Sequence, residues 1–256
     1  MIERSRLVIL VAMYIFTALV YLVVTGLAVG ERAKTFKAIS PGMLPPLSVV
    51  FALLVGFLAA QVWNDGQQAN AAVNREASAL RAAVLLAAAF PGEPERRLRE
   101  LVSSQIQEAA ANEWPAMASG NATLRLAPAA LANALRYALG LTPATPGQIA
   151  AQHEIVASLE NALDARRQRI ILSHSAINWV KWMALLAQAG LTLIAIAMVH
   201  SDNPAANRII LAIFATGVAA ALILIASHSQ PFAGEISVKP AVLLQVMPET
   251  QAKAGP

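Results

Sequence analysis

The fold is decided by residues 47–90, which read LSVVFALLVGFLAAQVWNDGQQANAAVNREASALRAAVLLAAAF. The first part, Leu47–Val62, is apolar and is predicted to cross a membrane, although it is shorter than a typical span of about 20 residues. The second part is rich in alanine, and no glycine or proline interrupts it from Gln67 to Phe90, which favours helix. We therefore expect one helix that leaves the membrane and continues into water until Pro91 and Gly92 end it.

Three further apolar runs are long enough to cross a membrane: Leu7–Val29, Trp179–Val199 and Ile209–Ala226. Only 13% of the residues are charged, against about 25% in a typical soluble protein, so lipid is the expected solvent for much of the chain. The first run is longer than the apolar core of a signal peptide, which has about 7–15 residues, and we expect it to remain as a membrane anchor.

Four crossings predict an all-α integral membrane protein with a helical, water-exposed domain inserted between the second and third spans. The expected divisions are 1–63 for the first two spans, 64–178 for the domain, 179–226 for the last two spans and 227–256 for a C-terminal tail. Lysine and arginine are more frequent beside the membrane on the side of the domain than in the two opposite loops. The positive-inside rule then places the domain and both termini in the cytoplasm.

Three more helices are predicted within the domain. One covers Glu93–Ala118, with its end or a kink at Glu113, Trp114 and Pro115, and a shorter one covers Pro128–Leu139. The last begins after Thr145, an N-cap residue followed by a proline and by the glutamine of a capping box. No breaker follows until deep in the third span, so we expect this helix to be continuous with that span.

An apolar stripe runs along this last helix and comprises Ile149, Val156, Leu163 and Ile170, seven residues apart, with Leu159 between them. We expect Arg166, Arg167 and Arg169 to lie largely outside the stripe. Such a stripe fits either the core of a helical bundle or a seam between identical subunits, and it does not separate the two.

Catalytic chemistry is not expected from this sequence. The chain contains no cysteine, its four histidines lack acidic or histidine partners at helical spacing, and it shows no glycine-rich phosphate loop or nucleophile elbow. Apart from Lys181, near the start of the run Trp179–Val199, the four apolar runs contain no charged residue, which argues against a proton-coupled pump. We therefore expect neither an enzyme nor a cofactor or metal site.

Nucleic acid is not an expected partner either. The net charge is +4, but segment 64–178 carries ten basic and ten acidic residues, so the basic excess lies at the membrane flanks. Membrane lipid is the expected environment of the apolar runs.

A pore is the functional hypothesis that the second span suggests. One face of this helix presents a set of candidate pore-lining residues, namely Leu54, Phe57 or Leu58, Gln61, Asn64 and Gln68. An apolar constriction that opens into a polar vestibule would have this pattern, and such constrictions can gate by dewetting. The same pattern also fits a helix whose apolar face meets lipid and whose polar end lies at the interface.

Four segments carry a family resemblance: Phe57–Trp63, Glu76–Leu80, Glu113–Pro115 and Gln230–Gly234. In order and spacing the chain resembles the bacterial bestrophin-like membrane proteins, which are distantly related to the bestrophin anion channels. The resemblance implies a pentamer with four spans per subunit, a helical cytosolic domain and a pore lined by the second span. It also implies that Phe57 and its neighbours form the neck of the pore.

One difference from the animal bestrophins concerns calcium. In those proteins the late Pro-Phe-Gly segment leads into an acidic cluster that binds calcium, whereas Glu235 stands nearly alone here, before Ile236 and Ser237. Calcium gating is therefore not expected.

Two functions follow as hypotheses. The first is a homo-oligomeric channel for anions or small solutes, with a pentamer as the assembly that the resemblance implies. The alternative is a non-conducting membrane scaffold or accessory subunit whose cytosolic domain docks a protein partner.

Overall fold

The structure, a computed structural model, describes residues 2–37, 39–125, 128–234 and 236–248, and these residues form helices without any strand. Glu235 lies outside the described residues. So do residues 249–256, which belong to the end of the chain that the sequence predicts to be loosely ordered. The ten α-helices of the described residues, α1 to α10, are Ile2–Leu27, Glu31–Lys37, Leu44–Ala87, Glu93–Glu108, Trp114–Ala118, Ala129–Leu139, Pro146–Ser173, Trp179–Val199, Pro204–His228 and Ala241–Gln245.

Two compact units make up the chain. The first contains residues 1–63 and 176–229, and the second contains residues 64–175 and the chain from 230 onward. Helices α1, α3, α8 and α9 are long and apolar enough to cross a membrane, which confirms the four predicted spans. The expected separate tail from residue 227 instead contributes Phe232, Val238 and Leu243 to the buried core of the second unit.

The first unit is a bundle in which α1, α8 and α9 pack on one another. Its core is made of aliphatic side chains, including Met13, Leu185, Leu193 and Val218. A Cβ atom at Gly190 would lie 3.4 Å from the ring of Phe16, so the missing side chain at this glycine allows the phenyl ring to approach α8.

Polar side chains join the helices of this unit. Gln188 Nε2 donates to the backbone oxygen of Leu47, 3.0 Å away, and so connects α8 to α3. The hydroxyls of Tyr14 and Thr216 are 2.7 Å apart and connect α1 to α9. Where there is no water to bond such groups, these contacts contribute to helix association.

The continuity of the second span is confirmed, because α3 runs unbroken for 44 residues from Leu44 to Ala87. The predicted continuity of the third span is wrong, because α7 ends at Ser173 and α8 begins at Trp179. The break has a local cause that needs no glycine or proline. Asn178 Oδ1 accepts from the backbone N–H of Val180 and caps α8, and Ser175 Oγ donates to the carbonyl of Leu172 at the end of α7.

The second unit packs α4, α6 and α7 together around a core that includes Leu98, Ile106, Leu131 and Ile155. The predicted N-cap is confirmed, since Thr145 Oγ1 accepts from the backbone N–H of Gln148. The capping box is shifted by one residue, because Gln148 Oε1 accepts from the N–H of Ala144 and not from that of Thr145.

The buried face of α7 differs from the predicted stripe. Leu159 and Ile170 are buried as expected, but Ile149 is exposed, and Val156 and Leu163 are only half-buried. The buried face instead passes through Ala151, Ile155, Leu159, Ala162, Arg166 and Arg169. Two arginines are thus placed inside the unit, contrary to the prediction.

The hydroxyl pair of Tyr14 and Thr216 gives the first testable prediction. Tyr14→Phe and Thr216→Val each remove one partner, and the coupling free energy of the double-mutant cycle should be about 0.6 kcal/mol, the average for hydrogen bonds between membrane helices. The measurement is the free energy of unfolding of the four proteins in detergent. Strictly additive effects of the two substitutions would contradict the bond.

Candidate functional site

The six candidate pore-lining residues all lie on α3, but they differ in exposure. Phe57 is 70% exposed, whereas Leu58 is only 6% exposed and packs within the core of its own chain. A side chain that is buried in its own subunit cannot line a central pore, so of these two alternatives only Phe57 is available to do so. Asn64 and Gln68 are exposed, and Leu54 and Gln61 are half-buried.

Gln61 is held by a neighbouring helix of the same unit. Its Oε1 atom accepts from Lys181 Nζ on α8, 2.6 Å away. The indole of Trp63, the last residue of α3 in the first unit, lies 6.3 Å from the ring of His228 on α9. These contacts fix the orientation of α3 within the first unit near the end of its apolar run.

A buried network of four charged side chains is the most prominent polar feature of the second unit. Arg169 on α7 and Glu76 on α3 are both fully buried, and Arg169 donates to both carboxylate oxygens of Glu76 at 2.7 and 3.1 Å. Arg169 also donates to Glu113 at 2.7 Å, and Arg166 donates to the other oxygen of Glu113 at 2.7 Å. Two acids and two bases therefore balance one another in the core.

Glu113 is brought into this network by a change in helical geometry. Residues Ala109–Glu113, between α4 and α5, form a turn of π-helix, which widens the helix locally. The residue that follows is Trp114, whose ring lies 4.4 Å from the guanidinium of Arg169, a cation–π contact. The sequence predicts a kink or an end at this position, and the structure has a π-turn here with the helix continuing to Ala118.

Trp114 also binds the segment that follows α9. Its indole N–H donates to the backbone oxygen of Val238 at 3.0 Å, and the ring of Phe232 meets it edge-on, with 6.0 Å between the centroids. The N–H of Val238 donates to the oxygen of Pro231 and closes the loop between them. The Glu-Trp-Pro and Pro-Phe segments, far apart in sequence, therefore form one cluster.

Burial and charge act in opposite directions on the network. Burial raises the pKa of Glu76, which lies beyond the apolar run of α3, although the charge of Arg169 partly offsets this. Burial alone would lower the pKa of Arg169. The carboxylates of Glu76 and Glu113 have the larger effect, so the pKa of Arg169 is raised. Arg169 therefore stays protonated and is the positive centre that the two acids share.

The hydrogen bonds of this cluster indicate a structural role and not a catalytic one. Every carboxylate oxygen of Glu76 and Glu113 accepts a hydrogen bond from an arginine, so neither acid is placed as a free base or nucleophile. Among the described residues, no group of three His, Cys, Asp or Glu side chains could hold a metal ion.

The network is the part of the site that sequence reasoning missed. Segment 76–80 is noted in the sequence for its family resemblance, and segment 113–115 for the resemblance and for a kink or helix end, but neither is predicted to form an ion pair. Arg166 and Arg169 are predicted to lie largely outside the apolar stripe. The available signal was the i, i+3 spacing of these two arginines, which places both on the face that also carries Ala162.

Comparison with known proteins supports one family. The family model of the bestrophin-like domain matches residues 11–243. Two solved structures of a bacterial bestrophin homologue from Klebsiella pneumoniae, each with one substitution, align with TM-scores of 0.71 and 0.70 at 12% and 11% identity. Both alignments cover 95% of this chain and 98% or 96% of the other chain, so the fold is shared over nearly the full length. No curated protein matches the chain.

Substitution of Arg169 tests the network. Arg169→Met leaves Glu76 buried without its cation, and the loss of one member of a buried ion pair costs about 3–5 kcal/mol of unfolding free energy. Arg167→Met is the matched control, because Arg167 is exposed on the same helix and should change stability by less than about 0.5 kcal/mol.

Denaturant titration of the detergent-solubilised proteins, followed by tryptophan fluorescence, measures both changes. Equal stabilities of the two variants would show that the buried network contributes nothing to the second unit.

Proposed function

The chain belongs to the bestrophin-like family, and from this premise we propose that its copies assemble around an axis to form a membrane channel for anions or small solutes. In this channel the exposed face of α3 lines the pore. The assembly is a homo-oligomer, with the pentamer of the bestrophins as the proposed number of subunits. The role is transport, and no catalytic step is assigned to the chain.

The observation that carries the proposal is the poor coverage of α3 by its own chain. In an apolar 18-residue stretch of α3, only 6% of the residues are buried by the rest of the chain. The corresponding fractions are 22% for α1, 39% for α8 and 33% for α9. Phe57, Leu53 and Val50 are exposed along the helix at intervals of three or four residues, which puts them on one side. A ring of subunits would bring this side to a common axis and cover it.

The residues of this face suit a weakly interacting pore. Phe57 supplies an apolar constriction, and Asn64 and Gln68 follow it on the same helix with exposed, uncharged polar side chains. From Leu44 to Asn64 the helix contains no charged residue. An apolar narrowing gates by dewetting, and uncharged polar groups bind ions weakly enough to release them.

Orientation follows from the distribution of charge in the sequence. We place the chain in the bacterial inner membrane with its N-terminus and residues 64–175 in the cytoplasm, because basic residues beside the spans are more frequent on that side. Domain 64–175, with its balanced charges, then faces water.

The proposal is tested by flux into liposomes. Reconstituted wild-type protein should pass chloride faster than potassium, and Phe57→Ala should raise chloride flux severalfold, because a small side chain removes the dewetted constriction. Ile213→Ala is the matched control: Ile213 on α9 is as exposed as Phe57, but the proposal leaves it outside the pore, so flux should not change.

Two results would overturn the channel. One is flux equal to that of empty liposomes from a sample whose oligomeric state has been verified. The other is an equal response to Phe57→Ala and Ile213→Ala. The first result would favour the non-conducting scaffold, whose second unit docks a partner.

A further inference from the structure

A cleft with a volume of about 420 Å³ lies in the second unit beside the π-turn. Two members of the buried charged network, Glu113 and Arg166, line it. Glu108, just before the π-turn, and Asn112, within it, form another part of the wall. The volume falls within the range of about 300–1,000 Å³ that is usual for small-molecule sites, and π-turns inside α-helices are frequent at functional sites.

Arg166 brings unused hydrogen-bond donors to this cleft. Its side chain is charged and only 8% exposed, and among the described residues it donates one hydrogen bond, from Nε to Glu113. A guanidinium has five N–H donors, so four remain on the two Nη nitrogens. In the described part of the chain four side-chain atoms are buried without a partner, and none of them belongs to Arg166. The Nη nitrogens are therefore accessible to a ligand in the cleft.

Glu108 places a carboxylate on the same wall. It is exposed, and its Oε2 atom accepts from Asn112 Nδ2 at 2.7 Å. Its Oε1 atom accepts no hydrogen bond from the described residues, whereas both oxygens of Glu113 are already bonded to arginines. Glu108 precedes the π-turn and Glu113 ends it, so one wide turn separates the free carboxylate oxygen from the acid that holds Arg166.

The charges around the cleft favour a ligand that is neutral overall. Arg166 and Glu113 already form an ion pair at 2.7 Å. A simple anion would bind the Nη groups but meet the charge of Glu108, and a simple cation would bind Glu108 but leave the Nη groups unbonded. A zwitterion satisfies both, because its carboxylate can accept two parallel hydrogen bonds from one guanidinium. The rest of the wall is mainly small and apolar, including Ala116, Ala122, Ala130 and Ile170.

We propose that this cleft binds a small aliphatic α-amino acid in its zwitterionic form. The carboxylate of the amino acid accepts hydrogen bonds from the Nη groups of Arg166, and its ammonium group donates to Glu108. Its side chain lies against the alanines of the wall. This binding does not depend on whether the assembled protein conducts ions.

The test is isothermal titration calorimetry of the full chain in detergent with three probes of similar shape. L-valine carries both charged groups, isovalerate carries only the carboxylate, and isobutylamine carries only the ammonium group. Valine should bind saturably, with one molecule per chain. Its affinity should exceed that of either other probe about tenfold, which corresponds to about 1.4 kcal/mol for one lost charged contact.

Variants of the cleft separate specific contacts from general damage. Glu108→Gln should lower the affinity for valine about tenfold without lowering that for isovalerate, a change in selectivity that a loss of structure would not produce. Glu160→Gln, at an exposed glutamate of α7, is the matched control and should change neither affinity. Ala130→Leu should fill the cleft and abolish valine binding, whereas Ala157→Leu, at an exposed alanine of α7, should not. Glu108→Gln keeps the test decisive if Ala130→Leu does not fold.

Four results would overturn the proposal. Equal affinities for valine and isovalerate would remove the contact with Glu108, and equal affinities for valine and isobutylamine would remove the contact with Arg166. Equal effects of Glu108→Gln and Glu160→Gln would place the bound valine outside the cleft. The absence of saturable heat from valine, in a sample shown to be folded, would mean that the cleft binds no amino acid of this class.

Discussion

A polypeptide that crosses lipid must satisfy its backbone hydrogen bonds internally, and this constraint makes each span of this chain a helix. In α3 the helix continues past the apolar run, so that Leu44–Trp63 belong to the first unit and Asn64–Ala87 to the second. The segment between the second and third spans therefore begins within the same helix as the second span.

The second unit has a different organising contact. Arg169 joins Glu76 on α3 to Glu113 at the π-turn, and Trp114 stacks on Arg169 while it binds the backbone of Val238. Helix α3 and the π-turn therefore meet α7 at Arg169, and the segment after α9 joins them through Trp114. A buried ion network of this kind is weak evidence for net stability, because desolvation offsets much of the attraction, but the loss of one member is costly. The network thus fixes which segments pair, and it keeps the segment after α9 packed in the same core as α3.

The sequence was sufficient for the spans, because long uncharged apolar runs have few alternatives. It was also sufficient for the cap at Thr145 and for the length of α3, since both depend on local chemistry. It failed where local and tertiary effects compete. The break between α7 and α8 arises from Asn178 and Ser175, whose side chains bond to nearby backbone groups, and this is a weaker sequence signal than a proline. The burial of Arg166 and Arg169 depends on Glu113, more than fifty residues away in the sequence. The apolar residues spaced seven apart on α7 predicted a buried face that does not include these two arginines.

The candidate pore residues show the same limit. A helical face predicted from spacing contained both Phe57 and Leu58, and only the packing of α1, α3, α8 and α9 showed that Leu58 is covered by its own chain. Spacing identifies a side of a helix within about one residue, whereas exposure depends on neighbours that a single helix does not specify. Whether the uncovered side meets water, lipid or a second copy is decided by the assembly.

Solvent access at position 57 is the most direct test of the central claim that α3 faces a shared aqueous axis. The natural chain has no cysteine, so Phe57→Cys introduces a single thiol, and Ile213→Cys provides the matched thiol on α9. In reconstituted protein, a charged, membrane-impermeant methanethiosulfonate reagent should modify the thiol at position 57 and block chloride flux, while it leaves the thiol at position 213 unmodified. If the thiol at position 57 reacts only with a lipid-soluble maleimide, α3 faces lipid at this position and the proposed pore is wrong.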